Sequence, residues 1–204
     1  MRIGYGWDSH AFKSGVPLKI GGLTLDHPEG LAGHSDGDVL LHAITDALLG
    51  AVAAGDIGSF FPPGDPRWKN ANSAIFLATA LEEIRHAGYT IANVDTTLVL
   101  AAPKIGPIAE KLRESVATLL HLEPRDVSIK AKTPEGLDQD HVAIAHAVVL
   151  LEKLDRSDQP AQMAAAVDSQ ASIEEVVRKL LGESTSQSTA QPVRKPAFDT
   201  EDIT

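Results

Sequence analysis

The chain has 204 residues, a formal net charge of −10 and no cysteine. Its length suits one domain with a full hydrophobic core, and its 43% share of apolar residues is that of an ordinary folded protein. Without cysteine there is no disulfide framework, thiol nucleophile or thiolate metal site. The sequence has no basic stripe, no signal-peptide pattern and no apolar run of about 18 residues. We therefore expect a cytoplasmic protein that partners neither nucleic acid nor membrane.

Two regions of the sequence differ in composition. Residues 1–153 alternate apolar segments with Gly and Pro, which predicts one folded domain. Residues 154–204 are rich in Ser, Gln, Asp, Ala and Thr and have too few large apolar side chains to offset the entropy of ordering. We expect this tail to be largely disordered. Within it, residues 172–181 (SIEEVVRKLL) predict one short amphipathic helix that ends before Gly182.

Strand and helix patterns interleave along the first region. Alternating and β-branched segments predict strands at 2–8, 18–21, 91–101, 127–132 and 142–151. The last of these is apolar on both faces and is expected to be buried. Apolar residues spaced by three or four positions predict helices at 38–54, 72–87 and 107–121. This order predicts an α+β fold: a single domain with a mixed β-sheet and helices packed on one face.

The first candidate site is the pair Asp8 and His10. Residues two positions apart on a strand point to the same side, so this carboxylate and this imidazole can converge on one ion. Both are typical zinc ligands, but two ligands do not complete a site. Taken alone, the pattern is better explained by a strand end whose polar side chains face water.

A polar stripe forms the second candidate. Asp38, His42 and Asp46 recur every four residues on a predicted helix whose other faces are strongly apolar. Such a stripe needs partners if the helix is buried. A solvated edge of an ordinary amphipathic helix is an equally good explanation. The preceding residues, 34–37 (HSDG), lie at the helix N-terminus, where backbone N–H groups can receive an anion, although His34 alone also fits an exposed loop.

The loop at 55–70 (GDIGSFFPPGDPRWKN) is the third candidate. Its prolines fix φ and make it stiff. Phe60, Phe61 and Trp68 need a subunit or a ligand to pack against, and Asp56 and Gly58 are placed to approach a substrate. A structural Ω-type loop is the simpler explanation of the pattern alone.

The fourth candidate follows the strand at 127–132. Lys132, Thr133 and Glu135 offer a cation, a hydroxyl and a carboxylate within four residues, which suits phosphate and a hard divalent ion. Pro134 and Gly136 equally favour a plain polar turn. A weaker candidate is the segment 100–106 (LAAPKIG), a strand end that turns into a helix. Backbone atoms at such a turn can recognise a nucleotide base.

Together, and in this order, these segments resemble the 2-C-methyl-D-erythritol 2,4-cyclodiphosphate synthase family. The resemblance runs from Arg2 to about Lys153. Its most specific parts are GHSDGDVLLHAITDALLGA at 33–51, GDIGSFFP at 55–62 and DPRWK at 65–69, with the Asp8-x-His10 pair in register. It implies a homotrimeric enzyme whose active sites lie between neighbouring subunits.

The resemblance also implies a metal centre and a second ion. Asp8, His10 and His42 match residues that bind a catalytic divalent metal, zinc, with the fourth position left to a substrate phosphate. Glu135 matches the carboxylate that carries magnesium or manganese between the two phosphates of the nucleotide. His34 and Thr133 match catalytic positions that stabilise the charge building on the phosphates during transfer.

The implied reaction is an intramolecular phosphoryl transfer in the non-mevalonate isoprenoid pathway. The 2-phosphate of 4-diphosphocytidyl-2-C-methyl-D-erythritol 2-phosphate attacks the β-phosphorus, expels CMP and closes the cyclic diphosphate. No protein nucleophile is needed. The positions matched to substrate contacts, including the cytidine pocket, are Asp8, Ser9, His10, His34, Ser35, Asp56, Ile57, Gly58, Phe61, Pro62, Pro63, Gly64, Asp65, Leu100, Lys104, Ala131, Lys132, Thr133, Pro134 and Glu135.

Three features depart from the common family pattern. After Glu135 the chain reads GLDQDHVAIAHAVVLLEK and lacks the usual Gly-Arg-Gly-Glu-Gly run. Leu100 and Lys132 stand where a small residue and a threonine are frequent, and the tail has no counterpart. Two other functions stay open: a catalytically inactive metal-binding trimeric scaffold and a metal-dependent phosphohydrolase. The intact set of candidate site residues argues against the first, and the lack of a spare base to position water argues against the second.

Overall fold

The computed structural model describes residues 1–137 and 139–154. The tail from residue 155 and its expected helix at 172–181 lie outside the described residues, and the domain boundary at residue 153 stays a prediction. Among the described residues, no helix is long and apolar enough to cross a membrane.

The described residues form seven strands and four α-helices. They are β1 (Arg2–Ser14), β2 (Leu18–Ile20), β3 (Leu23–Leu25), β4 (Glu29–Leu31), α1 (Val39–Ala51), α2 (Ile57–Phe60), α3 (Ser73–His86), β5 (Tyr89–Val99), α4 (Ala109–Leu120), β6 (Val127–Lys132) and β7 (Val142–Lys153). Five strands form one sheet in the order β4-β1-β7-β5-β6, in which only β5 and β6 are parallel neighbours. The expected single domain with a mixed sheet is confirmed.

The two faces of the sheet differ sharply. On one face α1 packs on β1 and β7, α3 on β5 and α4 on β6, and the core lies between the helices and the sheet. On the other face, which we call the open face, large apolar side chains are exposed in the chain: Ile3 71%, Tyr5 60%, Trp7 50% and Val148 43%. The last strand was expected to be buried on both faces. This expectation is wrong within residues 1–137 and 139–154, where no layer covers Val148 on the open face.

Two glycines let α1 lie directly on β1. A Cβ atom on Gly4 would stand 1.8 Å from the carbonyl oxygen of Ala47, and one on Gly6 would stand 1.9 Å from that of Ala43. The helix backbone therefore occupies the space that side chains would take. The same pairing shows that α1 runs antiparallel to β1, so the first turn of α1 lies over the strand beyond Gly6, where Asp8 and His10 follow on the same face.

Element ends differ from the predictions where turn chemistry decides them. The strand expected at 2–8 continues to Ser14, because it pairs with β4 beyond its contact with β7. The strand expected at 18–21 ends at Ile20, since Gly21 and Gly22 adopt positive φ and turn the chain into β3. The three-residue strands β3 and β4 were not predicted, because they are too short to show an alternation.

Capping side chains and positive φ angles set the ends of the helices. Asp38 is the N-cap of α1 and Asn72 that of α3, and the side chain of each accepts a backbone N–H in the first turn. The first helix ends at Ala51 rather than at residue 54, because Ala53 and Gly55 both adopt positive φ. The third predicted helix begins at Ala109, after a short 3-10 turn at Gly106–Ile108.

Candidate metal centre and active site

Three side chains converge where α1 crosses β1. The Oδ2 atom of Asp8 lies 2.8 Å from His10 Nε2 and 2.8 Å from His42 Nδ1, and the two nitrogens lie 3.0 Å apart. Asp8 and His10 face the helix from the strand, and His42 faces the strand from one turn inside α1. The predicted convergence of Asp8 and His10 on one side, and of His42 from the helix, is confirmed as a candidate metal-binding cluster.

The donor set fits a divalent cation better than a proton. A single proton between His10 Nε2 and His42 Nδ1 cannot serve all three short contacts at once, whereas a cation at their common point is bound by each. One carboxylate and two imidazoles are the ligands of a catalytic zinc that keeps a fourth position open. Asp8, His10 and His42 would therefore hold a divalent ion between their three ligand atoms.

Burial and neighbouring groups shift the pKa values of Asp8 and His10 in this cluster. Burial, the largest single influence on Asp8, raises its pKa, but the hydrogen bonds and charges of His10 and His42 outweigh it and hold the pKa well below its usual range. Burial lowers the pKa of His10, yet hydrogen bonding and attraction from Asp8 prevail and raise it. The negative charge of Asp8 thus dominates the pocket, and the same attraction acts on a metal ion.

The loop before α1 is held in place by backbone hydrogen bonds. The carbonyl oxygen of His34 accepts from Asn70 N at 2.8 Å, and Asp36 N donates to the carbonyl oxygen of Ala71 at 3.0 Å. The His34 ring is exposed and lies 3.5 Å from the carbonyl oxygen of Asp65. Ser35 is buried. The structure therefore brings the His34 ring beside Asp65 of the 55–70 loop.

The Asp38 carboxylate joins this loop to the rest of the core. It is fully buried and accepts hydrogen bonds from Gly21 N at 2.9 Å, Gly22 N at 2.7 Å and Leu41 N at 3.1 Å. These bonds fasten the β2–β3 turn to the start of α1. Of the predicted stripe, Asp38 is therefore structural, and His42 alone enters the metal cluster.

The loop at 55–70 is built around a short helix and an aromatic cluster. Asp56 caps α2, which contains Ile57 and Gly58, and its carboxylate accepts from Ser59 N at 2.8 Å. Ile57 N donates to Asp46 Oδ1 at 2.9 Å, which ties this helix to α1 one turn beyond His42.

Phe61 is buried, and its ring lies 4.4 Å from that of Phe76 and 4.8 Å from that of Trp68. The ring of Phe76 in turn lies 6.0 Å from that of His42. In the chain, Phe61 therefore supports the loop and packs behind His42 through Phe76. Its ring is buried rather than exposed to a substrate. Pro62, Pro63 and Gly64 are exposed beyond it, and Asp65 is half-buried and paired with Arg67 at 2.6 Å.

The other predicted site residues lie at the same end of the strands as the metal cluster, but farther across the sheet. Ser9 pairs with Ile144, Ile144 with Val99, and Val99 with Lys132, so Ser9 and Lys132 stand in one row. Three strand spacings separate them, about 14 Å. Ser9 itself points to the open face and donates its N–H to Asp8 Oδ1 at 2.8 Å. The single chain therefore does not bring the end of β6 to the metal cluster.

The end of β6 forms a second group of its own. Thr133 Oγ1 donates to Glu135 Oε1, and both residues are exposed. Leu100 is buried, and its N–H donates to the carbonyl oxygen of Lys132 at 3.1 Å, so only its backbone borders the group. Ala131 and Lys104 are exposed, whereas Pro134 is buried. Glu135 stands apart from the Asp8, His10 and His42 cluster.

Two residues at the site escaped the sequence analysis. Ser73 lies 2.8 Å from His42 Nε2 through its Oγ atom and also donates to Asp36 Oδ1. Nothing in the sequence marks Ser73, since it stands as an ordinary first residue of a helix 31 positions from His42. Asp36 lay inside the HSDGD run but was read as part of a helix N-terminus rather than as a side-chain partner.

Several known proteins similar to this chain are named 2-C-methyl-D-erythritol 2,4-cyclodiphosphate synthase. The chain is 67% identical over 153 residues to a 2-C-methyl-D-erythritol 2,4-cyclodiphosphate synthase of Koribacter versatilis, covering 75% of this chain and 99% of that relative. It is 47% identical over 154 residues to the enzyme of that name in Aquifex aeolicus, covering 76% of this chain and 99% of that one. A solved structure of a synthase so named, in a form bound to CDP, matches with a TM-score of 0.70 and 42% identity, over 74% of this chain and all of that one.

The match extends over the whole described domain. The family model described as the YgbB family covers residues 1–152, which include both β1 at one end and β7 at the other. With this match and a relative at 67% identity, the chain belongs to the YgbB family.

Proposed function

We propose that the chain is a 2-C-methyl-D-erythritol 2,4-cyclodiphosphate synthase. It converts 4-diphosphocytidyl-2-C-methyl-D-erythritol 2-phosphate to the cyclic diphosphate and CMP. The observation that carries the proposal is the cluster of Asp8, His10 and His42, whose ligand atoms lie 2.8–3.0 Å apart in a relative of enzymes of this name. An oxygen of the 2-phosphate bonds to the β-phosphorus, the bond from that phosphorus to the bridging oxygen breaks, and the electron pair leaves with CMP.

Asp8, His10 and His42 hold a divalent metal, which we propose to be zinc. The bound ion supplies a Lewis acid that polarises a phosphate oxygen. The side chains keep their ligand atoms on one side and leave the opposite side to the substrate. Glu135 holds a magnesium or manganese ion with the substrate diphosphate, because a carboxylate and phosphate oxygens are the ligands such hard ions prefer.

The other residues position charged groups rather than form bonds. The exposed ring of His34 and the hydroxyl of Thr133 donate hydrogen bonds to phosphate oxygens as charge moves onto them. The loop from Asp56 to Asp65 and the loop of His34 and Ser35 flank the metal cluster and hold the erythritol phosphate. Leu100, Lys104 and the end of β6 hold cytidine and its phosphates. Because the reaction is intramolecular, holding the 2-phosphate in line with the β-phosphorus contributes most of the rate acceleration.

We further propose that the active unit is a homotrimer, with each site shared by two subunits. Ser9 and Lys132, which adjoin the metal cluster and Thr133 respectively, stand about 14 Å apart within one chain, a distance that one substrate diphosphate does not bridge. The open face supports the same proposal, because Ile3, Tyr5 and Trp7 would remain exposed in a monomer. A second copy packed on this face buries them and brings its own β6 end to the neighbouring metal cluster.

A product assay tests the function. The purified full chain with Zn²⁺ and Mg²⁺ should release CMP from the substrate in a one-to-one ratio with cyclic diphosphate, measured by chromatography and phosphorus NMR. CMP accompanied by the linear 2,4-bisphosphate, the product that water forms in place of the ring, would favour the phosphohydrolase. The absence of CMP release in metal-loaded protein would favour the inactive scaffold.

A further inference from the structure

The inner side of His42 has its own hydrogen-bond partners. While Nδ1 faces Asp8, the opposite ring nitrogen Nε2 lies 2.8 Å from Ser73 Oγ and 3.0 Å from Ser35 Oγ. Ser73 is fully buried and Ser35 is 9% exposed. Because both hydroxyl groups are buried, the partners of Nε2 decide which ring nitrogen carries the proton.

A chain of side chains continues from Ser73 away from the metal cluster. Ser73 Oγ donates to Asp36 Oδ1, which also accepts from Ser73 N at 3.2 Å. The other oxygen of Asp36, Oδ2, lies 3.4 Å from Lys19 Nζ. A carboxylate offers only acceptor oxygens, so Asp36 accepts the hydrogen bond from the Ser73 hydroxyl.

The direction of each hydrogen bond follows from this end of the chain. Because Asp36 accepts, the Ser73 hydroxyl donates its hydrogen to Asp36. The Ser73 oxygen then accepts a hydrogen bond from His42 Nε2–H. When a metal is bound at the cluster, the proton of His42 therefore sits on Nε2, and the lone pair of Nδ1 is free to ligate the ion. A ligating imidazole needs this tautomer.

We propose that Ser73, Asp36 and Lys19 are positioning residues that fix the tautomer and the orientation of His42 and thereby set the metal affinity of the site. The inference rests on the metal centre of the proposed function. It assigns a role to three residues that touch neither metal nor substrate. The network joins three elements, β2, the loop before α1, and the first residue of α3, at one ligand.

The hydroxyl of Ser73 is not needed to begin α3. Asn72 is the N-cap of this helix, and its Oδ1 atom accepts from Ala74 N at 2.9 Å. Capping and contact with His42 are thus divided between two adjacent residues. This division offers a matched pair of substitutions: one removes the contact with His42, and the other removes the cap.

The test measures metal binding to the purified full chain without substrate. Zn²⁺ affinity is determined by competition with a chromophoric chelator, and the visible spectrum of the Co²⁺-loaded protein reports the ligand geometry. Ser73→Ala should weaken Zn²⁺ binding by roughly 10–100-fold and shift the Co²⁺ spectrum. Ser73→Thr, which keeps the hydroxyl, should bind Zn²⁺ within a few-fold of the original chain. Asp36→Asn should weaken binding, and the double variant should be no weaker than Ser73→Ala alone, because both act through one hydrogen bond.

Asn72→Ala serves as the control, with the reverse pattern expected. It should lower the unfolding temperature while leaving Zn²⁺ affinity and the Co²⁺ spectrum unchanged. Unchanged metal affinity in Ser73→Ala, or an equal loss in Asn72→Ala, would overturn the positioning role and leave the metal centre standing. If the unsubstituted chain binds no Zn²⁺, the metal centre itself fails.

Discussion

The carbonyl oxygen of Ala43 lies 1.9 Å from the point where a Cβ atom on Gly6 would stand. Two backbones, rather than two side chains, are therefore in contact at the crossing of α1 and β1. Since His42 immediately precedes Ala43, this approach sets how far the His42 imidazole lies from Asp8 on the strand. Gly6, which has no side chain, thus controls the geometry of the proposed metal ligands.

Gly6→Ala should damage both the fold and the metal centre. The added methyl group meets backbone atoms that cannot rotate away, so the helix must move outward, at a cost of about 2–3 kcal/mol in unfolding free energy. The shift separates His42 from Asp8 and weakens Zn²⁺ binding. Chemical denaturation and chelator competition measure the two effects.

Gly50→Ala is the matched control in the same helix. Nothing lies closer than 4.0 Å to the position of a Cβ atom there. Alanine is also the better helix former, by about 1 kcal/mol in an exposed interior position. Stability should stay equal or rise, and metal binding should not change. Equal damage by both substitutions would show that the close approach at Gly6 is not the cause.

Removing the metal should lower the thermal stability of the chain. An ion that binds only the folded state adds about 2.7 kcal/mol when its free concentration is 100 times its dissociation constant. For a chain of this size that corresponds to roughly 5–10 °C in unfolding temperature. A strong chelator should produce this fall in the original chain, followed by calorimetry. In His42→Ala the chelator should change nothing, and a fall of the same size there would contradict the ligand assignment.

Thr133→Val should slow turnover while the protein stays folded. The substitution keeps the shape and removes the hydroxyl that we propose stabilises charge on the phosphates, a loss of roughly 10²–10³ in kcat. Steady-state kinetics of CMP release measure it. Thr118→Val makes the same change on the exposed side of α4, where the hydroxyl donates only to the carbonyl oxygen of Glu114. That control should leave kcat unchanged.

Deleting residues 155–204 should leave kcat/KM nearly unchanged. The YgbB family match ends at residue 152, and the relative from Koribacter versatilis is matched over 99% of its length without the tail. All proposed site residues precede residue 136. A large loss of CMP release in the truncated, metal-loaded chain would place part of the tail in the site.

The residues that local periodicity describes were predictable. Asp8 and His10 share a face because a strand repeats every two residues. The polar stripe of an otherwise apolar helix singled out His42, but only the family resemblance placed it with Asp8 and His10. The partners of these residues were not predictable. Ser73 reaches His42 only through tertiary packing, and Gly6 permits the contact through the absence of a side chain. No repeat in a single sequence signals either relationship.

Mixing two inactive variants tests the shared site. The His42→Ala variant keeps an intact β6 end, and the Thr133→Val variant keeps an intact metal cluster. Subunits exchanged at equal concentration then form trimers in which roughly one site in four pairs both intact halves. Activity should recover to about that fraction of the original, measured by CMP release after denaturation and co-refolding of the mixture.

This recovery requires both the oligomer and the division of the site. If each chain held a complete site, every site in the mixture would carry one of the two lesions, and activity would stay at the level of the separate variants. Sedimentation analysis of the same samples provides the control, because it shows whether mixed oligomers formed. Mixed trimers without recovery would contradict a site shared between the metal cluster of one subunit and Thr133 of the next.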